Sequence, residues 1–153
     1  MKKISLLDFE PYLKGIHLSN VIVARPEVDY YFRSIKASIF ENVIFFNYRF
    51  EDLPIHDVRF INCMFINVYF EEVFFYDCEF NNVVINDSFI TETYFFRGRM
   101  TNLNLCYHGK NWDNLIEGTK VDSSIIDVNS EWKFSDVTFE NSITIIGGQV
   151  TKY

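Results

Sequence analysis

The sequence predicts a solenoid, and three observations carry that prediction. First, every fifth residue from Tyr30 to Leu105 is large and apolar: Tyr30, Ile35, Phe40, Phe45, Phe50, Ile55, Phe60, Phe65, Phe70, Phe75, Phe80, Ile85, Ile90, Phe95, Met100 and Leu105. These sixteen centres run without a slip of phase. Neither a helix, with its period of about 3.6, nor a strand, with a period of about 2, produces such a series. Second, the residue two before each centre is mostly small or β-branched, as at Ser38, Val43, Val58, Cys63, Val68, Val73, Cys78, Val83, Ser88 and Thr93, with Arg33 the clear misfit. Third, the residue two after many centres is Asn or an acid. A fixed short repeat stacks unit on unit into a rod with a patterned surface.

Units such as Cys63-Met64-Phe65-Ile66-Asn67 and Cys78-Glu79-Phe80-Asn81-Asn82 show both registers together. Here the chain resembles the pentapeptide-repeat family, whose unit is a small residue, any residue, Leu or Phe, any residue, and a variable one. The uninterrupted match covers about half of the chain. The resemblance implies an all-β fold, a right-handed quadrilateral parallel β-helix. Four repeats would make one square coil of twenty residues, with the centre and the residue two before it pointing inward.

Residues twenty apart should then stack at the strand spacing of about 4.8 Å. Asn42, Asn62, Asn82 and Asn102 fall in one column, and Asn47, Asn67 and Asp87 in a second. Asp52, Glu72 and Glu92 form a third; Asp57 and Asp77 form a fourth that ends at Arg97. Arg59, Glu79 and Arg99 alternate in sign, as a stacked ion-pair ladder should. A five-residue repeat does not require this longer correlation, so the columns support a four-sided coil. The Asn columns read as structural ladders of side-chain amides.

The flanks repeat the pattern with interruptions, and residues 1–153 read as one domain. Residues 1–15, with Phe9, Tyr12 and Leu13, are expected as an N-terminal cap, and 16–105 as the main repeats. An outward loop is expected over 106–118, further repeats over 119–144, and a tail over 145–153 that covers the other end or pairs with a second chain. This makes five to six coils, a rod of about 25–30 Å at the strand spacing.

Composition narrows the function. With 14 Lys and Arg against 21 Asp and Glu the net charge is −7, which argues against direct nucleic-acid binding and suits a basic partner. Cys63, Cys78 and Cys106 lack metal-ligand spacing and leave an odd thiol, as in a reducing compartment. Met1-Lys2-Lys3 opens like a secretory signal, but Asp8, Glu10 and Pro11 cut the apolar run to Ile4–Leu7. No run approaches the ~20 apolar residues of a membrane span. The expectation is a cytoplasmic protein. His17, His56 and His108 are isolated, Cys63 and Cys78 point inward, and no glycine loop cradles phosphate. No enzyme activity, catalytic group, cofactor or metal is expected.

The surface therefore carries the function. Two outer faces are too apolar for solvent: one with Ile44, Met64 and Val84, and one where Phe74, Tyr76, Tyr94 and Phe96 form a contiguous aromatic patch. Cover by the chain's own termini, a homodimer or a foreign partner all remain open for the patch; the aliphatic face, with no charge beside it, is the one expected under a terminus. Acids flank the patch at Glu51, Asp52, Glu71, Glu72 and Glu92 on one side and Asp57 and Asp77 on the other. The resemblance implies one use for such a surface. Some family members mimic B-DNA and bind the DNA-gripping surface of gyrase, and acidic mimicry is also used against restriction and CRISPR effectors. On this reading the chain is a non-enzymatic DNA-mimic inhibitor of a DNA-binding protein or nucleoprotein complex. The alternative is a protein-interaction module that binds through the aromatic face without mimicry. The tail Ile143-Thr144-Ile145-Ile146-Gly147-Gly148 reads as strand and turn, unlike the helical dimerisation segment of gyrase-binding members.

Overall fold

The computed structural model describes residues 1–6, 12–25, 32–106, 113–127, 132–146 and 151–152. Phe9, Tyr30, His108, the Gly147-Gly148 turn and the Cys106 side chain lie outside the described residues. All strands pair in parallel and form four faces of one β-solenoid. The first face stacks His17–Ser19, Ile39–Glu41, Arg59–Ile61, the start of Glu79–Asn86, the start of Arg99–Cys106, Lys120–Asp122 and Thr138–Glu140. The second stacks Lys2–Ile4, Val21–Ala24, Ile44–Phe46, Met64–Ile66, the ends of those two long strands, Ile125–Asp127 and Thr144–Ile146. The third has three described rungs, at 49–51, 69–71 and 89–91. The fourth runs from Tyr12–Lys14 and Ser34–Lys36 through 53–56 and 73–76 to Tyr94–Phe96, Asn114–Glu117, Trp132–Ser135 and Thr151–Lys152.

In the central coils the pairing step is twenty residues, as at Ile44, Met64, Val84 and Asn104. Elsewhere it becomes 22 between Tyr12 and Ser34, 21 between Arg99 and Lys120, and 18 between Lys120 and Thr138. Up to Thr138 every departure falls on the connection between the second and fourth faces. The three described rungs of the third face lie where that connection keeps its regular length. The pairing also corrects three expectations. The stretches set apart as caps supply rungs: Lys2–Ile4 and Tyr12–Lys14 at one end, Thr144–Ile146 and Thr151–Lys152 at the other. The N-terminal strand lies under the aliphatic face as its first rung, leaving Met64 38% and neighbouring Phe46 43% exposed. The segment expected as a loop over 106–118 contains the strand Asn114–Glu117, which one extra residue had moved out of phase.

The core explains why phenylalanine dominates the centres. Phe40, Phe60 and Phe80 stack with nearly parallel ring planes at centroid distances of 5.3 and 5.1 Å, and Phe45 lies 4.7 Å from Phe65. Around the corners the rings meet edge-on, as for Phe40 and Phe45 at 5.4 Å. Both geometries suit the ring quadrupole. The inward residue two before each centre has its own task when polar. Ser88 Oγ donates to the Asn86 carbonyl at 2.9 Å and accepts from the Val68 N–H at 3.0 Å. Ser38 and Ser124 make the same bridge. Every such buried hydroxyl is thereby satisfied.

The corners follow a single rule. From Ala37 to Asn102 the residue two after each centre takes a left-handed conformation, with φ of 54° at Asn42, 52° at Asp57, 53° at Glu72 and 53° at Arg97. Asn and Asp tolerate this region better than other residues with a side chain, so the corners select them. Their N–H groups bond the next coil, as from Asn62 to the Asn81 carbonyl at 2.9 Å. The amide ladders also form: Asn102 donates to Asn82 and Asn82 to Asn62, both at 2.8 Å.

Candidate protein-binding surfaces

The fourth face holds the aromatic patch that the sequence points to. Parallel pairing places Phe74 beside Tyr94 and Tyr76 beside Phe96. The rings stack at 5.2 and 5.1 Å, and Phe74–Tyr76 and Tyr94–Phe96 close the array at 6.5 and 6.1 Å. Each ring shields its neighbour, so all four are half-buried. The array extends downward through His56, stacked 4.7 Å from Tyr76. Burial, then Lys36, hold the His56 imidazole below its ordinary pKa despite Asp77, so it is neutral near pH 7.

Sequence reasoning missed two groups that brace this array. The Tyr94 hydroxyl donates to Asp113 Oδ2 at 3.1 Å, and Lys133 Nζ lies 2.9 Å from the other oxygen of that carboxylate. Burial and the Asp113 bond raise the Tyr94 pKa, and the Lys133 and Tyr94 bonds lower that of Asp113. The signal was the column Tyr94–Leu115–Lys133, visible only once the altered coil lengths are known.

The acids sit at the edges of the face as expected, but they are not equivalent. Arg49 reaches Glu71 at 2.7 Å, and its Nε lies 3.1 Å from Glu51 in an ion pair that is not a hydrogen bond. Arg97 grips Asp77 through two contacts of 3.1 Å and lies 5.9 Å from the Tyr76 ring centre. Glu92 is half-buried, and Asp52, Asp57 and Glu72 are exposed. No described residue forms an ion pair with these last three. The Arg59–Glu79–Arg99 column is in register, yet no ion pair forms within it. Exposed long side chains gain too little from pairing to hold one geometry.

A second exposed apolar column had less weight in the sequence. On the third face Tyr69 and Phe89 stack at 4.8 Å, both 37% exposed, with the Arg49 guanidinium 5.2 Å from the Tyr69 ring. Cys63 and Cys78 are buried, and burial pushes their thiols up to about 11 and about 12. Among the described residues no group of His, Cys, Asp or Glu is arranged to hold a metal ion. No helix among them is long and apolar enough to cross a membrane.

Stacked parallel faces with a five-residue repeat define a pentapeptide-repeat solenoid. A trypsin-treated form of QnrB1, a plasmid-mediated fluoroquinolone resistance protein, aligns at a TM-score of 0.53 and 12% identity, over 84% of this chain and 64% of that one. This chain thus spans just under two thirds of that protein's length. A pentapeptide-repeat protein from the cyanobacterium Cyanothece 51142 aligns at a TM-score of 0.33 and 11% identity, over 91% of this chain and 94% of that one. At 12% identity the likeness to QnrB1 is one of fold alone. No protein-family model and no curated protein matches the chain.

Proposed function

We propose that this protein is a non-enzymatic binding module whose fourth face docks on a basic, DNA-gripping surface of a DNA-acting protein. The observation that carries the reading is the stacked array Phe74, Tyr76, Tyr94 and Phe96 between two edges of carboxylates. The aromatic rings supply contact area, and the acids stand in for phosphates. Backbone geometry accounts for Asp52 and Asp57, since Asp suits the left-handed corner. It does not account for Glu72 or Glu92, which occupy the same corner at φ of 53° and 48°. These two glutamates are the strongest support for a charge retained for binding. The strip is short: three rungs at about 4.8 Å extend roughly 10 Å, about three phosphates of one strand at ~3.4 Å each. The mimicry therefore covers a patch within a DNA channel, with aromatic contacts adding to it.

A second reading is supported by the ion pairs. Arg49 pairs with Glu51 and Glu71, and Arg97 with Asp77, so two of these three acid charges are offset and fewer are free than the sequence suggests. On that reading the aromatic array binds a protein partner and the acids are incidental. Purified DNA-acting enzymes, a gyrase-like topoisomerase first, separate the two in a DNA-competition assay run at low and high salt. Mimicry predicts inhibition relieved by salt and by excess duplex, abolished by Asp52→Lys with Glu72→Lys. Binding that resists salt and duplex, survives charge reversal and is lost with Phe74→Ser and Tyr94→Ser would replace mimicry with the plain module.

A further inference from the structure

The second face differs from the other three in charge. From its second rung to its sixth, neither outward column holds a charged side chain: Ile22, Ile44, Met64 and Val84 lie in one, Phe46 and Ile66 in the other. The corner that leads into this face is Asn in every coil from Asn20 to Asn141, Ser123 excepted. Face and corner together make an uncharged strip in a chain with 14 bases and 21 acids. The strip is open to solvent at both its middle and its far end: Phe46 is 43% exposed, Met64 38%, Ile125 37% and Ile146 48%. A strongly basic or acidic partner gains nothing from such a surface. It fits a flat face that is itself apolar and of the same length.

The charges on this face stand at its ends and differ in sign. Lys3 is exposed on the first rung, and Asp127 is half-buried on the seventh, about 29 Å away at the strand spacing. No described residue forms an ion pair with either, and Asp127 Oδ1 has no hydrogen-bond partner. Opposite charges at opposite ends of an apolar strip make the face complementary to its own inverted copy. In a twofold pair of antiparallel rods, with the axis between the Met64 and Val84 rungs, Lys3 comes within one rung of the partner's Asp127, and the contact occurs twice. The area is sufficient. Eight rungs at about 4.8 Å and five residues a side at about 3.3 Å give a footprint of roughly 34 by 16 Å. That is roughly 1,100 Å² over both copies, just above the ~1,000 Å² expected of a specific interface. Charge returns at the trailing edge, with Arg25 and Asp87, as in a polar rim.

We propose that the second face binds a second copy of this chain, rod against antiparallel rod, around Met64 and Val84. The second face lies opposite the fourth in the square coil, so the pair leaves both aromatic arrays outward, and the inference stands or falls independently of the docking proposal. Sedimentation velocity and light scattering between about 1 and 100 µM test it. At the low end of interface sizes the pair should be weak, dimeric near 100 µM and dissociating towards 1 µM. Met64→Glu places a charge on the apolar strip at two points of the twofold interface, and should raise the dissociation constant about tenfold or more. Lys3→Glu and Asp127→Lys should each raise it about threefold or more, because each exposed pair is lost twice. The two changes combined exchange the charges and should restore the wild-type value to within about twofold. Thermal melting of each variant checks that the fold persists, and Phe74→Ser with Tyr94→Ser should leave the dimer intact. A monomer at 100 µM, or a dimer indifferent to Met64→Glu in folded protein, overturns the proposal. A dimer lost with the fourth-face variant also overturns it, in favour of pairing through the aromatic array. Loss on each single charge change without recovery in the combined variant overturns the antiparallel arrangement.

Discussion

Replacing Glu72 by Asn should stabilise the fold and weaken its binding. Glu72 holds φ at 53° in a corner where most equivalent residues are Asn or Asp. An ordinary L-residue pays about 1–2 kcal/mol in this region, and Asn visits it routinely; recovering part of that is worth roughly 0.5–1 kcal/mol. Asp52 lies one rung below and Glu92 one rung above. At the rung spacing, two exposed unit charges repel by about 0.9 kcal/mol in water. Salt at physiological strength and the freedom of long side chains reduce this to a few tenths. The combined gain is about 1 kcal/mol, equivalent to a rise of roughly 2–4 °C in melting temperature for a chain of this size. Thermal and urea melts in the same buffer measure it. A melting temperature that falls or does not move would refute the conformational account of the corners. A gain in stability with unchanged partner affinity would leave that account intact and remove Glu72 from the binding surface.

Phe60→Ala removes a ring stacked between Phe40 and Phe80 and edge-on to Phe65, and should cost about 3–5 kcal/mol in a urea melt. Gly98→Ala places a Cβ 2.5 Å from the Cys78 carbonyl oxygen, which is backbone and cannot swing aside; a loss of about 1–3 kcal/mol is expected, and an unchanged melt would contradict it. Cys63 and Cys78 should resist thiol reagents at pH 8 in the folded protein and react after denaturation, because burial keeps both thiols protonated. Their raised values also set a sign. From about pH 9 the unfolded chain loses thiol protons that the folded chain keeps, so stability should decline as pH rises from about 9 towards 11 and 12. Asp77→Asn, which breaks an exposed pair with Arg97, should leave the urea melt nearly unchanged.

Much of this fold was legible because a square coil writes its geometry into the chain at a fixed interval. Phe60 must face inward, and so must Phe65 a quarter-turn later. Asn62 and Asn82 stack because twenty residues separate them, and the structure joins them by a 2.8 Å bond. The reading failed where the interval changed. Tyr12 pairs with Ser34 at a step of 22, so the first strands looked like a cap. Leu115 pairs with Tyr94 at a step of 21, so a strand looked like part of a loop. The ion pairs were hidden for another reason. Arg49 reaches Glu71 from a neighbouring column, and side-chain reach across columns is set by rotamers rather than by spacing. The left-handed corners left a trace in the Asn and Asp enrichment, but stacked-amide ladders explain that enrichment equally well from sequence alone.

The corner conformation also changes what acidity means in this molecule. Asp at a corner is selected by the backbone, so a high count of corner acids is no measure of DNA likeness. The informative residues are those the backbone disfavours. Arg97 is one, and its position has a local explanation: it chelates Asp77 and lies against the Tyr76 ring. Glu72 has no comparable explanation, since it is exposed between two like charges and no described residue forms an ion pair with it. Nor does solubility require an acid there, because an Asn-lined corner such as that of Asn62, Asn82 and Asn102 remains exposed and polar in the same rod. A residue that opposes both local conformation and local electrostatics, beside a half-buried aromatic array, fits the wider pattern in which binding sites sacrifice stability. The case for a basic partner therefore rests on Glu72 and its neighbours around Phe74 and Tyr94, more than on the net charge of the chain.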